Sequence, residues 1–120
     1  MALPSRVLGA GVNSLATVSI CGNGQNDITA AGTSAGNATQ LVAIYNSIDT
    51  TSVNGGVMLM KCEMGATVVV VNSGAHTLTV YPYDSDTING TTSASIAVNH
   101  STMFFAITNS RWYSLNGERI

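Results

Sequence analysis

The run TVVVV at 67–71 is the strongest constraint in the sequence. Its four consecutive valines, β-branched like the threonine before them, favour a strand. Successive side chains of a strand point to opposite faces, so this one is apolar on both. After the polar turn NSGAH comes a second run, 77–81, which alternates. Leu78 and Val80 share one of its faces, and Thr77, Thr79 and Tyr81 share the other. The two runs are expected to form a hairpin. The doubling recurs elsewhere. In 57–62, Val57 and Leu59 point one way and Met58, Met60 and Cys62 the other. In 102–108, Met103, Phe105 and Ile107 make one face, and Phe104 with Ala106 adds to the opposite one. A sheet with one wet face alternates cleanly. A second apolar face therefore needs a second cover, either the N-terminal segment of the same chain or another subunit.

The remaining punctuation is that of a β protein. Candidate strands at 57–62, 67–71, 77–81, 95–98, 102–108 and 111–115 are separated by EMGA, NSGAH, PYDSDTINGTT, NHS and NS, all turn chemistry. The VNGG stretch at 53–56 reads as a hairpin turn, since Asn and Gly accept positive φ. Short strands with frequent turns imply an all-β fold, an antiparallel β-sandwich or small barrel. Residues 41–48 carry helical spacing at Leu41, Ile44, Tyr45 and Ile48, yet a strand is expected from Ser47 onward. CGNGQND, 21–27, reads as a loop, and 29–39 as loop or edge strand. Residues 1–18 show no clear period and read as an extended arm preceding a single β domain at 19–120. Leu3, Val7, Leu8, Val12, Leu15 and Val18 make that arm apolar, while Gly9 and Gly11 interrupt it.

Charge is scarce. Of the 120 residues 45% are hydrophobic and only 8% charged, against about 25% in an average soluble protein. A surface so poor in charge is a weak design for a free monomer, which favours a chain that lives packed against something. The net charge is −2, and the basic residues Arg6, Lys61, Arg111 and Arg119 are scattered. They form no stripe to neutralise phosphates, so no nucleic-acid partner is expected. The N-terminus lacks an uninterrupted apolar core of signal-peptide length, and no stretch approaches the roughly 20 apolar residues of a membrane span. The chain is expected to remain in the cytosol until assembled, with no membrane partner. Cys21 and Cys62 are expected to be free thiols rather than a disulfide.

Chemistry-bearing patterns are few. His76 and His100 fall in turns, away from any Cys or acid at metal-ligand spacing. Asp84 and Asp86 in DSDTING are two apart, but Ile88 stands where a calcium loop needs its next oxygen, and the closing Glu is missing. A hydrolase built on His100 with Asp84 or Asp86 would lack an oriented nucleophile. The triplets NAT, NGT and NHS are expected by chance in a chain so rich in Asn, Ser and Thr. In RWYSL, 111–115, Trp112 and Tyr113 point to opposite faces, which places at least one in a core or interface. No catalytic residue, metal site or cofactor is expected.

The succession GGVMLMKCEMGATVVVVNSGAHTLTVYPYDSDTING…FFAITNSRWYSL resembles small β modules of tailed-bacteriophage virions. In these, a VVN-x-GA turn leads to an L-x-VYP strand, an ING loop and a terminal WY. The likeness covers roughly 53–115; Lys61 and Cys62 stand where that family usually has a proline. It implies a capsid decoration (cement) protein, made in the host cytoplasm, carried on the capsid surface and working as a homotrimer bound to the major capsid protein. Under that reading Leu3, Val7, Leu8, Val12, Met58, Met60, Val69, Val71 and Phe104 are the expected capsid or subunit contacts. The alternative is a head- or tail-fibre module that stacks a host glycan on Tyr81, Tyr83, Trp112 and Tyr113.

Overall fold

The computed structural model describes residues 3–11 and 13–118. Val12 lies outside them, as does the side chain of Val7. The fold is all-β apart from its first residues, but it is neither a sandwich of antiparallel sheets nor a barrel. It is a short β-solenoid. Strands β1 (Gly24–Thr29), β3 (Tyr45–Thr50) and β5 (Thr67–Asn72) stack in parallel on one side. Strands β2 (Thr39–Gln40), β4 (Gly56–Met58) and β6 (Leu78–Tyr81) stack in parallel on the other. Each coil thus visits both sheets in turn. Gly24, Tyr45 and Val69 stand abreast in successive coils on one side, as do Thr39, Val57 and Val80 on the other.

The last third of the chain closes both sheets. Strand β7 (Thr87–Ile88) joins the far edge of the first, and β8 (Ala94–Ile96) pairs antiparallel with β6. A true hairpin, β9 (His100–Ala106) and β10 (Arg111–Glu118), then runs antiparallel beside β5. The result is a six-stranded sheet in the order β1-β3-β5-β9-β10-β7 facing a four-stranded sheet β2-β4-β6-β8. The core between them takes Ile48, Val68, Val70, Phe104 and Trp112 from the first and Val57, Leu78, Val80 and Ile96 from the second.

The expected hairpins at 53–56 and 72–76 are therefore corners. Asn54 does hold positive φ (60°), but turn chemistry says only that the chain bends, not which sheet receives the next strand. At the second corner Asn72 decides. Its buried amide donates to the carbonyls of His76 (2.9 Å) and Ile96 (3.0 Å) and accepts from Gly74 N (3.0 Å) and Thr51 Oγ1 (3.3 Å). All four hydrogen-bonding positions of the side chain are used, fastening β5 to the opposite sheet. Gly74 is obligatory there, because a Cβ would fall 2.7 Å from Thr51 Cβ.

The arm is not extended. It forms two helices, α1 (Pro4–Gly9) and α2 (Ser14–Cys21). Pro4 occupies a first helical position, where its missing N–H costs nothing. Gly11 ends the first helix at φ 93°. Asn13 caps the second, its Oδ1 accepting from Ala16 N at 2.8 Å. Residues 41–48 resolve as strand from Tyr45, and the CGNGQND loop supplies the start of β1.

Candidate functional site

Among the described residues no element packs over the valine strand's second face. Inward Val68 and Val70 are fully buried, while Val69 and Val71 point out of the six-stranded sheet and are half-buried by their in-plane neighbours. Strand pairing sets them in three rows. Tyr45, Val69, Met103 and Leu115 form the central row; Thr67, Phe105 and Tyr113 lie on one side of it, and Ser47, Val71 and Ser101 on the other. None of these ten residues is charged. Tyr45 is 53% and Leu115 61% exposed, large values for apolar side chains mid-sheet. Phe105 and Tyr113 stack at 6.0 Å between ring centroids, and Arg111 lies over the Tyr113 ring at 5.0 Å.

The surface is corrugated. Tyr45 is a ridge between a cleft of ≈ 410 Å³ floored by Val69 and Val71 and one of ≈ 460 Å³ bounded by Leu3, Pro4 and Cys21. Across Val69 a third, of ≈ 320 Å³, runs between Met103 and Leu115. Among the described residues charge appears only at the rim. At one corner Asp27 and Asp49 meet, Asp49 Oδ2 accepting from Asp27 N at 2.9 Å. The Asp49 carboxyl, by hydrogen bond and then by charge, raises the Asp27 carboxyl from its ordinary value. Arg111 stands at the opposite corner. Parallel ladders occur mostly in sheets covered on both faces, and here, among the described residues, β1, β3 and β5 leave one face open.

The edge of the sheet is protected instead. The β1–β3 register slips on either side of Ile28, and Asp27 sits at φ 55°. A bulge with an acidic residue is how edge strands avoid pairing with other chains. The outer side of the four-stranded sheet is more polar and closed by hydrogen bonds. Gln40 Nε2 donates to the carbonyls of Leu41, Met58 and Leu59, and Tyr81 Oη donates to Thr33 O at 3.1 Å.

The expected contact residues divide among these surfaces. Val69 and Val71 lie on the outer face of the six-stranded sheet; Leu3 (43% exposed) and Leu8 (47%) are open on the arm. Met58 and Met60 are half-buried on the four-stranded side. Phe104 is a correction: it is fully buried in the core, and Phe105 is the outward phenylalanine. Tyr45, Met103, Phe105 and Leu115 were not among the expected residues. The alternation of Met103 with Phe105 carried the signal, but nothing local says which of two adjacent phenylalanines faces inward.

The aromatics of the glycan reading are scattered. Trp112 is fully buried, leaving no face of its indole for a sugar. Tyr81 and Tyr113 point out of different sheets, and Tyr83 lies in the loop after β6. Asp86 is buried and already used, accepting from Lys61 Nζ and from Cys62 N, both at 2.8 Å. Cys62, read as sharing a face with Met58 and Met60, turns into the core, and both cysteines are free. His76 is exposed, whereas His100 opens β9 with Nδ1 3.0 Å from Val98 O. Among the described residues no helix is long and apolar enough to cross a membrane. No protein-family model and no curated protein matches the chain.

Proposed function

We propose that this chain is a non-enzymatic virion structural protein, a capsid decoration protein that binds the exterior of a phage shell as a homotrimer and stiffens it. The observation that carries the reading is the uncharged, corrugated outer face of the six-stranded sheet. Ten contiguous residues without a charge, two of them large apolar side chains more than half exposed, make a poor free surface and a good contact surface. The resemblance over 53–115 supplies the setting, with the major capsid protein as partner. Fold likeness by itself would not license that function; the surface chemistry agrees with it independently.

The test is co-sedimentation of the purified protein with empty heads of the virus that encodes it, followed by imaging of the decorated particles. Saturable binding to regularly spaced sites, with heads that withstand heating better when decorated, is the expected result. A stable monomer with no affinity for heads would refute the proposal.

A further inference from the structure

Asn precedes Gly four times, at 23–24, 54–55, 89–90 and 116–117. This dipeptide is unusually open to loss of the side-chain amide, because a glycine without Cβ lets its nitrogen swing onto the preceding side-chain carbonyl. The fold treats the four differently. Asn23 Oδ1 accepts from Ile44 N at 3.2 Å. Asn89 is held at both ends of its amide, Nδ2 donating to Ser114 Oγ at 2.8 Å and Oδ1 accepting from Ser114 N at 3.2 Å. Asn116 Oδ1 accepts from Thr102 Oγ1 at 2.9 Å, and Gly117 stands in the β9–β10 ladder opposite Ser101. Among the described residues no hydrogen bond holds the Asn54 side chain. Asn54 and Asn89 are otherwise a matched pair: both are exposed turn residues in the left-handed region, at φ 60° and 52°.

We infer that Asn54–Gly55 is the site at which the folded chain forms a succinimide and so acquires a new carboxylate. Gly55 N bonds to Asn54 Cγ, the Cγ–Nδ2 bond breaks, and ammonia leaves with the Gly55 proton. Water then opens the ring at either carbonyl, giving aspartate or isoaspartate. Attack needs the Gly55 N–H released from Ser52 O, which it meets at 2.9 Å. Ser52 and Asn54 are both exposed, so water can take over that bond. The product falls at a joint of the fold. Gly55 O accepts from Thr79 N at 3.0 Å, and Gly56 exchanges two backbone hydrogen bonds with Ala31, so this corner ties its coil to the coils on either side. Isoaspartate lengthens the main chain there by one methylene, and either product adds a negative charge to the net −2.

The experiment incubates the folded full-length protein in H₂¹⁸O at mildly alkaline pH, beside the same protein unfolded in urea, and follows each Asn-Gly peptide by mass spectrometry. Every ring opened during the incubation carries ¹⁸O, which separates it from older product. In the folded protein position 54 should lead, with 23, 89 and 116 slower by about tenfold, the rate equivalent of one side-chain hydrogen bond. In urea the four rates should converge. Asn54→Gln should remove the leading product and leave the other three rates unchanged. A folded protein in which 23, 89 or 116 matches or outpaces 54 would overturn the inference. So would a position 54 that is silent in the folded protein while it reacts in urea, or a lead for 54 that persists undiminished in urea and therefore owes nothing to the fold.

Discussion

At the scale of single residues, stability concentrates in a few buried polar groups. Asn72 spends every hydrogen-bonding position on the corner between sheets, so Asn72→Ala leaves the carbonyl of Ile96 facing an apolar core. Each buried group stranded in this way costs about 1–3 kcal/mol, and urea melts of Asn72→Ala should show a loss of about 2–4 kcal/mol, with Gly74→Ala comparably damaging through its clash with Thr51. Cys62 adds a pH signature. Burial, reinforced by the charge of Asp86, pushes its thiol above the ordinary value of 9.0. The folded state therefore holds the thiol proton more tightly than the unfolded chain does. That contribution is complete below the unfolded pKa and is lost as pH rises through the folded one. The melting temperature should fall above about pH 9, less steeply in Cys62→Ala. Lys61, held up chiefly by its hydrogen bond to Asp86, shifts stability in the same direction at higher pH. Trp112, wholly buried, should emit at short wavelength and resist acrylamide quenching; ready quenching would put it on the surface and revive the stacking platform.

At the scale of elements, the strongly patterned strands are legible in the sequence and strand partnership is not; β1 falls largely in a stretch that reads as a loop, and β7 in one that reads as a turn. The six candidate strands each overlap an observed strand, because period-two patterning and turn residues are local signals. Whether the chain after VVVVN returns beside the strand it left or crosses to another sheet depends on Ile96 and Thr51, distant in sequence, which Asn72 gathers. The unequal intervals between Thr39, Val57 and Val80 also hide the coil as a repeat. The arm departs from its expected extended form for a different reason: its glycines at 9 and 11 close one helix, and Asn13 opens the next. Among the described residues α1 and α2 pack chiefly on each other, so deleting residues 1–21 should leave a folded β module, melting within a few degrees of the full chain. Collapse of the truncated protein in circular dichroism would make the arm an integral part of the fold.

At the scale of the whole molecule, the chain's scarcity of charge and its doubled apolar strands express one property. The core side of the six-stranded sheet is satisfied by the four-stranded sheet, and the other side is the contact surface we propose. Composition alone points to association; the location of the surface follows only from the register that sets Tyr45, Val69, Met103 and Leu115 in one row. Head binding tests the virion setting. Sedimentation equilibrium of the full-length wild type beside Met103→Glu tests the claim beneath it. The wild type should sediment as three chains and the variant as one, with matching circular dichroism spectra and melting temperatures. A wild type that remains a single chain at high micromolar concentration, or a variant that associates as well as its parent, would contradict the assignment of this face as a contact surface.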